Sequence, residues 1–234
     1  MSHESATMET MTPSRATRDG DAGARIAEQL RAGILAGEYP PGTRIRQEDL
    51  ADRFGASRAP VREALRRLET EGLVRLVANA GAWISRLTLV ECEEIYQMRE
   101  RLEPLLLRYS LPTLDASRLD HMADLATQME RGVDLETFLA LDREFHLGCY
   151  THAPTAQLGE LVSKLWNTTQ PYRRAYTRLA DPEAQRIIHD EHHLLVTALR
   201  DGDADEAERV LAAHIRRTRR QLARHPELFH DEEE

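Results

Sequence analysis

Apolar residues recur at intervals of three and four along most of this chain, and this spacing predicts amphipathic α-helices. The first apolar stripe lies in residues 22–36. After a rigid Pro-Pro-Gly turn, two shorter stripes follow, one beginning at Ile45 and one after Gly55. Residues 73–77 and 83–85 are short apolar runs joined by a tight turn, which predicts a hairpin of two strands. Three helices followed by a hairpin indicate a winged helix-turn-helix.

From Thr88 onward the chain shows only helical periodicity. Thr88 can cap a long helix whose predicted core stripe contains Ile95, Met98, Leu102, Leu105 and Leu106. Five more amphipathic segments follow, separated by Gly and Pro residues, at 114–131, 134–151, 154–177, 182–200 and 203–223. Asp203 can cap the last of them. Six helices of this length predict an antiparallel bundle.

The predicted fold class is therefore mainly α. We expect four segments along the chain: a disordered tail at 1–21, a winged helix-turn-helix at 22–88, an all-helical domain at 89–224 and an acidic tail at 225–234. The first 21 residues lack the apolar core of a secretory signal, and no apolar run reaches the roughly 18 residues of a membrane span. A cytoplasmic protein is expected. Its two cysteines, Cys92 and Cys149, should then be reduced and buried, with a disulfide as the alternative.

The net charge of −9 argues against nucleic-acid binding until the chain is divided. Residues 22–88 contain 11 Arg and 8 acidic residues, a balance of +3. Residues 89–234 contain 18 basic and 28 acidic residues, a balance of −10. A mildly basic module followed by an acidic one fits a DNA-binding head on a sensory body.

The second helix of the predicted helix-turn-helix begins with residues suited to reading DNA. Ser57 can cap this helix, and Arg58 and Arg62 lie one turn apart at its N-terminal end, where a recognition helix meets base edges. The Arg guanidinium offers a bidentate fork to guanine O6 and N7. The alternative is a solvated basic face. For Arg66 and Arg67, solvent or intramolecular pairing explains the charge at least as well as DNA does.

A second chemical feature lies in the predicted bundle. Asp142 and His146 are four residues apart and so project from one helix face, while His192 and His214 lie in the last two helices. Neutral imidazoles and a carboxylate can ligate a divalent transition metal, with zinc expected first and nickel or manganese as alternatives. The spacing alone is a weak indication, because a single His on a core face is more often a hydrogen-bonded core residue.

The head resembles a known family across residues 25–88. The stretch PPGTRIRQEDLADRFGASRAPVREALRRLETEGLV is similar to the motif of the GntR family of bacterial transcription regulators. The resemblance implies DNA contacts at the start of the recognition helix and at the wing tip, at Ser57, Arg58, Arg62, Asn79 and Gly81. Arg46 and Gln47, which open the preceding helix, are expected to contact phosphates.

The body resembles the FCD ligand-binding domain of the FadR-type GntR subfamily, across about residues 90–222. The segments that carry this resemblance are EIYQMRERLEPLLLR, LDREFH, EHHLLVTAL and GDADEAERVLAAHI. It implies a metal held by Asp142, His146, His192 and His214, with open positions for the carboxylate of a small organic acid. The side chains expected around that acid are Arg99, Arg101, Tyr172 and Arg173, with Arg99 preferred and a solvated basic patch as the alternative for the residues after Pro171.

Together these features predict a ligand-responsive transcription regulator, expected to repress a metabolic operon until a carboxylate effector modulates it. It should bind double-stranded DNA as a homodimer, because a two-fold protein matches a palindromic operator. One alternative is a dedicated metal sensor, in which the ion itself is the signal. Another is a metalloenzyme bundle, although the predicted bundle contains no Glu-x-x-His motif and no recognisable nucleophile–base pair.

Overall fold

The helical and strand periodicities of the sequence produce a small head and an all-helical body. The computed structural model describes residues 15–78 and 81–229. The elements of the head are α1 (Arg15–Leu35), β1 (Arg44–Ile45), α2 (Gln47–Phe54), α3 (Arg58–Thr70), β2 (Val74–Val77) and β3 (Gly81–Ile84). The elements of the body are α4 (Leu89–Ser110), α5 (Ala116–Glu130), α6 (Leu135–Gly148), α7 (Leu158–Leu179), α8 (Pro182–Arg200) and α9 (Ala204–Leu222). A mainly α fold with a winged helix-turn-helix and six body helices is thus confirmed.

The head is built around the apolar face of α3, which packs against α1 and α2. Val61, Ala64 and Leu65 on this face are fully buried. Gly55 ends α2 in the left-handed conformation (φ 57°), which glycine adopts without steric cost, and this turn sets α3 across α2. The packing leaves the opposite, arginine-rich side of α3 in solvent.

The wing has one strand more than the expected hairpin. Its sheet has the order β1-β3-β2 with antiparallel neighbours. Ile45 was expected to begin a helix, but it pairs with Ala82 in β3 and buries its side chain in the head core. The prediction was wrong because Ile45 sits in a two-residue strand, too short to show an alternating pattern.

The cap predictions had different outcomes. Thr88 forms a capping box with Glu91, and Asp203 accepts a hydrogen bond from the Glu206 backbone N–H, as expected. Ser57 does occupy the N-cap position of α3, but its side chain makes no capping hydrogen bond. Its hydroxyl is exposed and remains available to an external acceptor.

The buried face of α4 differs from the predicted stripe. Leu106 is buried, but Leu105 is 41% exposed, and the inward positions include Tyr96, Arg99 and Glu103. Arg99 was expected beside the effector, and Glu103 was not part of the predicted stripe. They enter the core because each neutralises the other through an Arg99 Nε–Glu103 Oε1 contact of 2.5 Å.

The two chain ends extend further into the fold than expected. Helix α1 begins at Arg15, within the segment predicted to be a tail, and residues 1–14 lie outside the described part of the chain. In the predicted acidic tail, Pro226–Leu228 form a 3-10 turn and the Phe229 ring stacks on Tyr172 at 4.8 Å. Residues 230–234 are again outside the described residues.

Cys92 and Cys149 are free and buried, as predicted. Burial raises the pKa of the Cys92 thiol to about 12. Within the described ranges, none of the helices has both the length and the apolar character needed to cross a membrane.

Helix α7 joins the body to the head. Asn167 Nδ2 donates to the Glu71 carbonyl oxygen at the end of α3 (3.0 Å), and Arg174 donates to the Leu35 carbonyl at the end of α1 (2.7 Å). The Tyr172 hydroxyl accepts from Leu87 N (2.6 Å) and donates to Leu87 O (3.0 Å). One helix of the body therefore contacts the C-terminal ends of two head helices and the connecting segment.

Candidate DNA interface and metal centre

The start of α3 presents its polar side chains to solvent. Ser57, Arg58 and Arg62 are all exposed. Arg58 is 3.1 Å from Glu48 on α2, and both side chains are more than half exposed. Such a surface pair is weak, so Arg58 can exchange this partner for a DNA acceptor at little cost.

A groove of about 660 Å³ lies between α2, α3 and the wing. It brings together four of the predicted DNA-contact residues, namely Arg46, Gln47, Arg62 and Gly81. Asn79, the predicted contact at the wing tip, lies outside the described residues. Ser57 and Arg58 are not part of the groove and lie at the N-terminal end of α3.

Two further arginines line the groove, and the sequence left their roles undecided or unnoticed. Arg66 is exposed one turn after Arg62, and Arg44 in β1 lies with its guanidinium 5.5 Å from the centre of the Trp83 ring. Arg67 instead pairs with Glu63 at 3.1 Å, the intramolecular pairing that was the alternative for it. The helical period could have separated the two, because Arg66, but not Arg67, continues the line of Arg58 and Arg62.

The predicted metal ligands meet inside the body. Asp142 and His146 project from α6, His192 from α8 and His214 from α9, and each offers a ligand atom within 4.8 Å of the others. The His146 and His192 Nε2 atoms are 3.3 Å apart and lie 3.7 and 3.6 Å from Asp142 Oδ1. All four residues are at most 5% exposed.

Several polar atoms of this cluster have no hydrogen-bond partner within residues 15–78 and 81–229. The two carboxylate oxygens of Asp142 differ in their contacts. Oδ2 accepts a hydrogen bond from Arg173, while the buried Oδ1 has no partner among the described residues. The buried Nε2 of His214 is likewise unpartnered. Unsatisfied buried groups are costly, so their convergence needs an explanation. One carboxylate oxygen and three imidazole nitrogens around a common point are a donor set for a divalent transition metal, and the residues present therefore fit one.

The electrostatic surroundings keep the imidazoles of His146 and His192 in their ligating form. Burial, reinforced by the nearby His214, holds the pKa of both His146 and His192 well below the ordinary value. Arg173 adds to this lowering at both sites. Neutral imidazole has the free lone pair that a metal requires.

A second carboxylate orients His214, and the sequence analysis missed it. Glu191 Oε2 lies 3.0 Å from His214 Nδ1, and Glu191 also accepts from Arg217. Burial would raise the pKa of Glu191, but hydrogen bonds from His214 and Arg217 outweigh burial and lower it. A carboxylate on Nδ1 directs the lone pair of Nε2 toward the cluster. Glu191 directly precedes His192 in the chain, but no sequence spacing pairs it with His214, which lies 23 residues away on α9.

The expected effector side chains separate into two groups. Arg173 lies at the cluster through its contact with Asp142, and its buried Nε has no partner in the described part of the chain. Arg99 is also buried, but Glu103 and Thr169 hold it, and its guanidinium lies 4.4 Å from the centre of the Trp166 ring. Arg99 is therefore already neutralised, whereas Arg173 retains an open donor.

Two of the expected effector residues lie elsewhere. Arg101 is exposed and donates to the Gln97 carbonyl on its own helix, because α4 turns this position outward. The Tyr172 hydroxyl is used twice by Leu87, so it belongs to the junction between head and body. The predicted placement of both residues beside the acid is corrected accordingly.

A DNA-facing winged helix attached to a helical body with a buried ligand-type cluster defines a ligand-binding transcriptional regulator. Residues 22–84 match the bacterial regulatory proteins of the gntR family, and residues 94–217 match the FCD domain. The FCD match alone covers more than half of the chain. The protein therefore belongs to the GntR family of bacterial transcription regulators, in the FadR-type branch that carries an FCD domain.

Known proteins of similar sequence agree with this assignment. The Nta operon transcriptional regulator of Aminobacter aminovorans is 28% identical over 181 residues, which cover 76% of this chain and 84% of that protein. The gluconate operon transcriptional repressor of Bacillus subtilis (strain 168) is 28% identical over 208 residues, which cover 82% of this chain and 81% of that protein. The solved structure of E. coli McbR/YncC has 25% identity and a TM-score of 0.73 over 87% of this chain and 97% of that one. These relatives are regulators and not enzymes, which sets the metalloenzyme alternative aside.

Proposed function

We propose that this regulator is a metal-dependent repressor of a metabolic operon, and that a small carboxylate bound in its body modulates its affinity for DNA. The observation that carries the proposal is the buried cluster of Asp142, His146, His192 and His214, whose ligand atoms all lie within 4.8 Å of one another. Two of these atoms, Asp142 Oδ1 and His214 Nε2, have no hydrogen-bond partner among the described residues. The repressor role is supported by relatives such as the gluconate operon transcriptional repressor.

In this proposal the head reads DNA through α3 and the groove beside it. Arg58 and Arg62 enter the major groove, Ser57 contacts a phosphate, and Arg46 and Gln47 contact phosphates from α2. Gly81 and Asn79 provide the wing contact. The exposure of the described side chains and the shared groove support this placement.

The three histidines and Asp142 would hold a divalent transition metal, with zinc expected first. Such an ion supplies a positive Lewis-acid centre with positions left open for a carboxylate. Arg173 is the cation of this chain best placed to hold the same acid, because it lies at Asp142 and has an unpartnered Nε. Arg99 contacts the site indirectly. Its guanidinium packs on the Trp166 ring, whose centre is 5.3 Å from that of the His146 ring.

The effect of the acid reaches the head through contacts of α6 and α7. Arg143, the residue after Asp142, donates to Asn167 Oδ1 (2.6 Å), and Asn167 Nδ2 donates to the Glu71 carbonyl at the end of α3 (3.0 Å). A shift of α6 on effector binding would therefore be transmitted to the recognition helix. A tenfold change in DNA affinity requires a coupling free energy of only about 1.4 kcal/mol.

A homodimer completes the proposal. Val90, Leu105 and Tyr109 are exposed apolar or aromatic side chains on α4, at 67%, 41% and 49% exposure. With 3.6 residues per turn, they fall within an arc of roughly 100° on that helix. A shared surface of this kind, placed on two copies by a two-fold axis, would present two heads to the halves of a palindromic operator.

The test of the metal site compares wild type with a His146→Ala/His192→Ala variant. After loading with zinc, nickel or manganese and removal of excess ion, elemental analysis should find about one metal per wild-type chain and none in the variant. His193→Ala is the matched control, because His193 adjoins His192 but hydrogen-bonds the exposed Glu130 instead. Full metal occupancy in the double variant would refute the ligand set.

The same preparations distinguish an effector-controlled regulator from a metal sensor. Operator affinity can be measured by fluorescence anisotropy on a duplex selected in vitro. If a carboxylate changes that affinity only when metal is present, the metal is part of the effector site. If chelation alone abolishes operator binding and no acid has an effect, the ion is the signal.

A further inference from the structure

A pocket of about 200 Å³ lies between the α5–α6 connection and the N-terminal end of α8. Met129, Val133, Phe138 and Ile188 supply most of its apolar wall. Its few polar side chains include His189. None of the residues expected from the sequence to bind DNA, metal or effector lines this pocket.

The pocket is one helical turn away from the metal cluster on two helices and one turn away from Arg173 on a third. Phe138 precedes Asp142 by four residues on α6, and His189 precedes His192 by three on α8. Thr177, also in the lining, follows Arg173 by four residues on α7. Residues three or four apart share a helix face and lie about 5–6 Å from each other. The pocket therefore lies next to the cluster along α6 and α8 and next to Arg173 along α7, and it opens to solvent at Val133 and Arg178.

His189 gives the pocket one polar contact point. Its Nδ1 is buried and has no hydrogen-bond partner among the described residues, and its ring meets the Phe138 ring edge-on at 6.1 Å. Because an unpaired buried nitrogen is costly, a ligand atom able to hydrogen-bond it would be favoured there. Arg178, by contrast, is exposed at the rim and keeps its hydration.

The size of the pocket limits what it can hold. A dry protein cavity of about 150 Å³ is known to accommodate benzene. A pocket of 200 Å³ therefore has room for one six-membered ring or a branched group of similar volume, but not for a second ring. The offset of one turn from the cluster corresponds to one or two carbon atoms between such a group and a carboxyl.

We propose that this pocket binds the apolar end of the effector, so that the effector is a carboxylate with one ring, or a branched chain of ring size, one or two carbons from its carboxyl. A hydroxyl or ring nitrogen on that group would pair with His189. The inference rests on the proposed function, in which the carboxylate itself binds at the cluster beside Arg173.

The experiment uses the zinc-loaded full-length protein and four kinds of probe: acetate, phenylacetate, the hydroxyphenylacetates and succinate. Binding is measured by calorimetry and by the shift in melting temperature. Phenylacetate should bind at least about tenfold tighter than acetate, because it buries a ring. At least one hydroxyphenylacetate should bind about threefold to tenfold tighter still, and His189→Leu should remove only that increment.

Val133→Trp provides the matched variant, since Val133 is 36% exposed at the pocket edge and an indole there would fill the pocket from outside the core. Its zinc content and its affinity for acetate should equal those of wild type, while its affinity for phenylacetate should fall about tenfold or more. An equal loss of affinity for both acids, or an unchanged affinity for phenylacetate, would overturn the assignment of the pocket.

The outcomes separate the inference from the function on which it rests. If acetate binds the zinc-loaded protein and phenylacetate binds no more tightly than acetate, the pocket assignment alone fails. It fails likewise if succinate binds with the highest affinity of the four kinds of probe. If none of the acids binds wild type and the His146→Ala/His192→Ala variant behaves identically, the carboxylate site itself is refuted.

Discussion

Replacing Glu191 by Gln should weaken metal binding without removing a ligand. Glu191 is not one of the four candidate ligands, but its Oε2 lies 3.0 Å from His214 Nδ1 and it also accepts from Arg217. The amide has nearly the same shape and can still accept one hydrogen bond. It cannot supply the negative charge that makes the imidazole a stronger donor to a metal through Nε2.

The size of the effect follows from this geometry. Loss of an outer carboxylate commonly reduces metal affinity by about 10- to 100-fold. Because Gln retains the acceptor, we expect the lower limit, about tenfold, which corresponds to about 1.4 kcal/mol. In excess metal the metal-dependent stabilisation falls by the same free energy, so the rise in melting temperature on adding zinc should shrink by about 3–6 °C in a chain of this size.

The assay is a competition titration with a chromophoric chelator, together with melting curves recorded with and without zinc. Glu130→Gln is the control, because the contact between Glu130 on α5 and His193 on α8 has the same length of 3.0 Å but lies on the surface, outside the cluster. We expect Glu130→Gln to leave zinc affinity unchanged. Equal affinities for wild type and Glu191→Gln, or equal losses in both variants, would refute the role of Glu191.

Three further predictions concern the head and its attachment. Arg62→Ala should cost about 1–3 kcal/mol of specific operator binding and relax sequence preference, whereas Arg67→Ala should change operator affinity little. Fluorescence anisotropy titrations on the operator and on a scrambled duplex measure both effects. Equal losses of affinity in the two variants would contradict the proposed interface. Asn167→Ala should leave zinc content intact but reduce the effect of a bound carboxylate on operator affinity, and an undiminished effect would show that coupling uses another route. Phe229→Ala should lower the free energy of unfolding by about 1 kcal/mol in denaturant titrations, because it removes the stacking on Tyr172; unchanged stability would mean that the C-terminal segment does not contribute.

Much of this molecule could be predicted from sequence because its main features are local or periodic. The turn at Gly55, the apolar face of α3 and the capping box at Thr88 depend on residues close in the chain, so they are readable from spacing. The metal ligands are far apart in sequence, and spacing alone gave only a weak indication. Resemblance to the FCD domain brought together Asp142 and His214, and the structure then placed them in one buried cluster.

Features that depend on tertiary pairing could not be predicted. Arg99 and Glu103 are four residues apart on α4, but no hydropathy pattern marks two charged residues as buried. Their burial depends on α7, where Thr169 accepts from Arg99 and the Trp166 indole donates to Glu103. Tyr172 was expected at the acid but binds Leu87, a partner 85 positions away. Glu191 became recognisable as a carboxylate partner of His214 only once α8 and α9 were seen packed together.

The central claim is that a carboxylate bound at the metal cluster changes the affinity of the head for DNA. The most direct measurement is the dissociation constant for operator DNA, determined with and without the carboxylate that best stabilises the zinc-loaded protein. We predict a change of at least about tenfold in wild type and none in the His146→Ala/His192→Ala variant, with His193→Ala behaving as wild type. The same operator affinity in wild type with and without the acid, or an equal change in the double variant, would contradict the account.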